Sequence, residues 1–268
     1  MANPTPFFVA PGGGDRATGE RLLLVSDQFP PAQSAGALRW QKLSSYAAER
    51  GWTLDVVTRH PSTLARQDAA RLAELPPGTR VYGIVPHAIL GDKLEAAIGR
   101  AVAGLRGART SVTAAEGSAA LSPRTSAGEV AEGRPVARRP DSLPPDALRF
   151  APLELRSWLR AWWAWLDYRR QGAWARQAEA MMLDVYRPDV HRAVVSCGPW
   201  HFSAHEAARR VAQQTGLPFV MDLRDPWSLR RRMAETAASP LWYRLADFHE
   251  RRAVEQASLV VVNAEAVH

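Results

Sequence analysis

Two short segments concentrate the polar chemistry of this chain, Ser196-Cys-Gly-Pro-Trp-His201 and Asp222-Leu-Arg-Asp-Pro-Trp227. The second gathers two carboxylates, a guanidinium and an indole, a set that can bind hydroxyls and move a proton, with Asp225 as the candidate base. The structural alternative is an internal Asp–Arg pair that fixes a loop. Alternation along a strand sends Asp222 and Arg224 to one side and Leu223 to the other, and Asp225, preceding Pro226, is pushed to an extended or turn conformation. Trp227 closes the segment as a candidate wall of the site. His201 and His205 flank the start of a helix, where the dipole disfavours a protonated imidazole. Each is a candidate neutral donor or acceptor toward a ligand, set against the commoner role of a cap or a solvated histidine.

A third candidate is the loop Pro30-Pro-Ala-Gln-Ser-Ala-Gly36. Ser34, Ala35 and Gly36 are small enough to let an anion approach the amides at a helix N-terminus, and Arg39 lies one turn further on. The loop carries neither Gly-x-Gly-x-x-Gly nor Gly-Lys-Ser/Thr, so an ordinary strand-to-helix turn is the plainer reading. No third ligand joins His201 and His205 at metal-binding spacing, and no metal site is expected. Cys197 is the single cysteine; it reads as a lone buried thiol, excludes an internal disulfide, and suits a reducing cytoplasm.

The elements that must position these residues read as α/β units. Apolar runs at Arg21–Ser26, Thr53–Thr58, Arg80–Val85, Ala193–Val195, Pro218–Met221 and Ser258–Val262 have the length and composition of buried strands. Between them fall helical stretches. Ala37–Arg50 has Leu38, Leu43, Tyr46 and Ala47 on one face and is stopped by Gly51. The others are Gln67–Leu75, Leu94–Leu105, Leu153–Arg170, Ala173–Tyr186, Ala204–Gln214 and Leu241–Gln256. Strand, loop, helix and strand repeat as in a doubly wound, Rossmann-like, mainly parallel sheet with helices on both faces. Candidate ligand sites then lie beyond the strand C-termini. Residues 1–20, rich in Pro and Gly, are expected to be a disordered leader, and 106–145, almost without large apolar residues, a disordered insertion in a domain spanning 21–268.

Composition sets outer limits. The 268 residues are 46% hydrophobic, enough for a sizeable core. No apolar run approaches the roughly 20 residues needed to span a bilayer, and no signal-peptide pattern opens the chain. A net charge of +7 favours anionic partners. The basic residues are scattered and no nucleic-acid motif is present, so nucleic acid is not an expected partner. The stretch with Trp158, Trp162, Trp163, Trp165 and Trp174 among Arg156, Arg160, Arg169 and Arg170 reads either as a helix packing its indoles inward or as a membrane-surface helix.

Taken together, these segments resemble the N-terminal domain of family 4 glycosyltransferases of the GT-B fold. The residues carrying the resemblance are Leu22-Leu-Leu-Val-Ser-Asp-Gln-Phe-Pro-Pro with Ser34-Ala-Gly-Ala-Leu-Arg39, Asp55-Val-Val-Thr58, Ser196-Cys-Gly-Pro-Trp-His-Phe-Ser-Ala-His205, Asp222-Leu-Arg-Asp-Pro-Trp227, and Ala257-Ser-Leu-Val-Val-Val-Asn263. The resemblance implies two Rossmann-like domains, with the hydroxyl acceptor held mainly by the N-terminal one and the nucleotide-sugar donor by the C-terminal one. It implies sugar transfer with retention and no required metal or other cofactor. Gly36 would match the glycine loop near the donor phosphates, although Ala35-Gly36 replaces the usual Gly-Gly. His205 or His201 would match the histidine that contacts the transferred sugar, and Arg224 and Asp225 fall in the motif lining the acceptor side. The donor-gripping half, with its paired glutamates, has no counterpart here. The expectation is a fragment, a split enzyme completed in cis or trans, or an inactive remnant, with little transferase activity alone. The rival expectation is a non-catalytic module binding a membrane surface or a partner protein through its Trp/Arg helix. Either way the expected location is cytoplasmic, with a peripheral contact at the inner membrane face.

Overall fold

A computed structural model describes residues 4–12, 20–97, 100, 155–198, 202–224 and 240–262, the side chains of 155–160 and 240–243 excepted. The elements in chain order are β1 (Phe8–Val9), β2 (Arg21–Ser26), α1 (Ala35–Glu49), β3 (Thr53–Arg59), α2 (Ala70–Ala73) and β4 (Arg80–Ile84). A helical stretch over 90–97, here α3, follows. The rest are α4 (Leu155–Val185), β5 (His191–Gly198), α5 (Ser203–Thr215), β6 (Phe219–Leu223), α6 (Pro240–Gln256) and β7 (Leu259–Val262). The chain divides into two compact units, Met1–Ile89 with Trp158–His268, and Leu90–Ser157. The second contains α3 and the first residues of α4; the insertion expected at 106–145 lies outside the described residues.

The first unit is built on one seven-stranded sheet of order β1-β4-β3-β2-β5-β6-β7. Every pairing is parallel except that of β1 with β4. Leaving β1 aside, this is the strand order of a dinucleotide-type Rossmann sheet, which reverses direction between β2 and β5. Central parallel strands are covered on both faces, which is why they are apolar throughout rather than alternating. Leu23, Leu24 and Val25 of β2 are all fully buried. Leu23 and Val25 join a core with Trp174, Ala178 and Met182 of α4, Ala204, Ala207, Ala208 and Val211 of α5, and Ala246 and Ala253 of α6. Leu24 faces the other way, with Val56, Val81, Val195, Cys197, Phe29 and Trp40 of α1.

Several expectations are corrected. The leader is not wholly without structure. Phe7 N–H donates to Val81 O and Ala10 N–H to Thr79 O, both at 2.9 Å, so β1 adds an antiparallel edge and buries Ala10. The inner face of α1 is Gly36, Ala37, Trp40, Gln41 and Ser44; Leu38 and Tyr46 point to solvent. The two helices read over 153–186 are one. Gly172 in mid-helix costs about 1 kcal/mol relative to alanine, which the burial of Trp174, Ala175, Ala178 and Met182 outweighs. The helix expected at Gln67–Leu75 shortens to Ala70–Ala73. β7 is not a buried strand but the sheet edge, with Leu259 and Val261 exposed. The helix stop expected at Gly51 does hold, and Gly216 ends α5 in the same way: both glycines have positive φ, +81° and +74°, the left-handed geometry that ends helices without a Cβ penalty.

At the N-terminal end of the sheet, opposite the crevice, Arg21 of β2 donates to both carboxylate oxygens of Asp55 of β3, at 2.7 and 2.8 Å. His191 of β5 adds Nε2 at 3.1 Å, and its Nδ1 accepts from Arg187 N–H at 2.9 Å. Burial alone would raise the Asp55 pKa, but His191 and Arg21 together hold it below the ordinary carboxylate value. This triad ties three strands together where no ligand site is expected.

Candidate functional site

The reversal between β2 and β5 opens a crevice beyond their C-termini, and the sequence candidates that the structure describes converge there. Ser34 is the N-cap of α1: its backbone is extended and its Oγ accepts the Ala37 amide at 3.2 Å. Ala35 and Gly36 therefore supply the first-turn amides that this cap does not engage. Gly36 lies close under two long side chains. A Cβ there would collide with Nη1 of Arg224 and Oε1 of Gln28, which are hydrogen-bonded to each other at 3.1 Å directly above it. The cation over the α1 N-terminus is thus supplied by the end of β6 and bonded to a neutral amide.

Asp222 and Arg224 fall on the same side of β6, with Leu223 in the opposite core, but they do not pair with each other. Asp222 accepts from Arg39, Nη2 to Oδ1 at 2.9 Å and Nε to Oδ2 at 3.2 Å. It also accepts from Trp40 Nε1 at 3.1 Å. This bidentate pair with an indole donor crosses from α1 to β6 and saturates the carboxylate. Asp222 is accordingly a strut rather than a free base, and Arg39, expected to face an anion, spends its fork on Asp222. The bond to Asp222 raises the Arg39 pKa further. Trp40 was missed because its signal, an indole following Arg39 on a buried helical face, only makes sense once β6 is known to lie beside α1. Gln28 was missed as well, though it stands just beyond β2 in the crevice the fold predicts.

His205 lies in the first turn of α5 and is fully buried. Its Nδ1 sits 2.7 Å from Ser196 Oγ at the end of β5. Burial pushes its pKa down to about 4, against a smaller opposing pull from Asp222. Burial is what disfavours the charged imidazole here, where the sequence pointed to the helix dipole. Cys197 is buried with its thiol pKa raised, first by burial and then by the Asp222 charge, so it is an inert wall residue. His201, Asp225 and Trp227 lie outside the described residues.

No protein-family model matches the chain, and no curated protein matches it either. The site therefore stands on its own geometry: a capped helix N-terminus, a glycine beneath two long side chains, a guanidinium above it, and a neutral buried imidazole behind the wall. Such an arrangement can accept an anion at the Ala35–Gly36 amides and neutralise it with Arg224. Among the described residues no group of three or more His, Cys, Asp or Glu is placed to hold a metal ion.

Behind this wall a second buried network fixes α5. Glu206 receives Arg209 at 2.8 Å and Arg210 at 2.8 Å, and His249 of α6 lies 3.7 Å away. The His249 ring stacks on Phe202 at 4.1 Å. Burial opposes ionisation of Glu206, but His249, Arg209 and Arg210 hold its pKa well below the usual range. The start of α5, and with it His205, is locked to α6.

Proposed function

We propose that this domain is the acceptor-side half of a nucleotide-sugar-dependent, retaining glycosyltransferase that transfers a sugar to a hydroxyl and needs a donor-binding half for activity. The single observation that carries the reading is the convergence at the β2/β5 reversal of the capped Ala35–Gly36 amides with Arg224. This is where negative charge developing on a leaving diphosphate would be stabilised. The motif resemblance of residues 21–58 and 196–205 supports the same chemistry, whereas the resemblance of 222–227 implies an acceptor-side position for Arg224 and the geometry above Gly36 favours the donor side.

In this reading the Ala35 and Gly36 amides and Arg224 face the donor diphosphate. Ser196 and His205 shape the wall behind the transferred sugar, His205 as a positioning residue, with His201 as the direct contact. Asp225 and Trp227 line the acceptor side. The Asp222–Arg39–Trp40 strut holds α1 against β6, so that the amides and the guanidinium keep their spacing. A lone half encloses a nucleotide sugar on one side only, and closure of two halves assembles such a site. Peripheral contact with a membrane face is compatible with this reading through exposed indoles on α4.

The test is titration calorimetry and turnover with a panel of nucleotide sugars, with the chain alone and with a donor-binding half supplied in cis or in trans. Binding or turnover only with both halves supports the proposal. No binding and no turnover under either condition overturns it.

A further inference from the structure

We infer that the outward face of α4 around Trp162, Trp163 and Trp165 is a docking surface for an anionic lipid bilayer. On a folded surface large indoles are ordinarily covered, yet these three are 36%, 48% and 41% exposed. They are not scattered. Trp162 stacks on Trp165 with centroids 5.2 Å apart and planes 27° from parallel. The Arg169 guanidinium lies over the Trp165 ring at 5.8 Å. Trp162, Trp165 and Arg169 follow one another at spacings of three and four, so they form a row along one side of the helix. The core residues Trp174, Ala175, Ala178 and Met182 of the same helix fall on the other side, while the fully buried Leu166 lies between Trp162 and Trp163, so the exposed row is the edge carrying Trp162, Trp165 and Arg169. Trp163 and Arg170 flank the row, seven residues apart and so also aligned with the axis.

The chemistry of the row matches one kind of surface. An indole has an apolar body and a single N–H donor, which settles at the depth where acyl chains meet headgroups. Exposed guanidiniums at the same level face phosphate oxygens bidentately. The overall charge of +7 adds long-range attraction to an anionic leaflet. The only acid among residues 161–171 is Asp167, hydrogen-bonded to Gln171, and the two arginines Arg169 and Arg170 outnumber its charge along the same stretch. No helix among the described residues is long and apolar enough to cross a membrane. The contact is therefore one of lying in the interface, with the indoles inserted to headgroup depth. The inference goes beyond the glycosyl-transfer proposal and does not depend on it.

The test is flotation of the full chain with vesicles of phosphatidylcholine alone and of phosphatidylcholine with phosphatidylglycerol, at low and physiological salt. Quenching of tryptophan emission by brominated acyl chains gives a second readout. The expected result is binding to the anionic vesicles that weakens with salt, with little binding to the neutral ones. The double variant Trp162→Ser/Trp165→Ser should bind at least ~tenfold more weakly, and Arg169→Glu several-fold more weakly, because interfacial binding scales with buried apolar area and with charge. Since these side chains are exposed, the variants should keep the circular dichroism spectrum and denaturation midpoint of the parent. Absence of vesicle binding by the parent chain overturns the inference. So does binding that the double variant leaves unchanged, or capture of a protein or an oligonucleotide by this face without vesicle binding.

Discussion

The buried His205 makes a quantitative prediction about acid sensitivity. Its pKa falls from 6.5 in the unfolded chain to about 4 in the folded one. Its folded-state pKa is depressed, so the unfolded chain takes up a proton here first as pH falls. Stability is therefore intact above the unfolded value and drains away between 6.5 and about 4. With each pH unit of difference equivalent to 1.36 kcal/mol, this one group removes ~2 kcal/mol between about pH 7.5 and about pH 5, and ~3 kcal/mol once both states are protonated. No discount for solvent screening applies, because the residue has no exposure. The loss is a large part of a typical domain stability of ~5–15 kcal/mol. Asp55 and Glu206, with depressed carboxylate pKa values, lose their contributions only at lower pH and leave this window clear.

The assay is urea denaturation at about pH 7.5 and about pH 5 for the parent and for His205→Asn, whose amide oxygen can still accept from Ser196. The variant starts less stable because it leaves a small cavity, but its unfolding free energy should fall by ~2 kcal/mol less across the window. In parallel, the His205 ring resonances should not titrate above about pH 5. A variant that loses as much stability as the parent, or a His205 resonance titrating near its ordinary value, refutes the argument that burial dominates this site.

Gly36→Ala pushes the ends of two flexible side chains, Arg224 and Gln28. Thermal stability should therefore change by less than ~1 kcal/mol, while, under the proposed function, calorimetry of the chain joined to a donor-binding half should show nucleotide-sugar affinity at least ~tenfold lower; unchanged affinity would remove the amides of α1 from the site. Asp55→Asn leaves the buried Arg21 without its countercharge and should cost ~3–5 kcal/mol by chemical denaturation, whereas a loss under ~1 kcal/mol would show the triad to be dispensable. Cys197, buried with a raised thiol pKa, should react with a disulfide reagent only as fast as the domain opens, so that its labelling rate follows denaturant concentration. Rapid labelling of the native chain would contradict the packing around β5.

The strands were legible because parallel strands buried on both faces must be apolar end to end, and Leu22–Val25, Val56–Val57 and Val194–Val195 are. Helix ends were legible at Gly51 and Gly216, where a positive φ demands a residue without a Cβ. The edge strand β1 was not, because two residues of pairing leave no periodicity to read. The unity of α4 was not, because the local signal at Gln171-Gly172 favours a break and only packing of the following turn against the sheet opposes it. On the site, Ser34, Gly36, Asp222 and Arg224 lie together beyond the ends of β2 and β6. The pairing was not legible, since Asp222 lies beside Arg224 in sequence but bonds Arg39, 183 residues away.

By itself, then, the sequence determined the α/β class and the positions of β2 to β7, because these follow from local composition and backbone geometry. The tertiary structure decided which charges neutralise one another, that His205 is sealed behind the wall rather than open to the crevice, and that three indoles of α4 remain outside. Each of these depends on which distant segment occupies the neighbouring space, and local propensity carries no record of that.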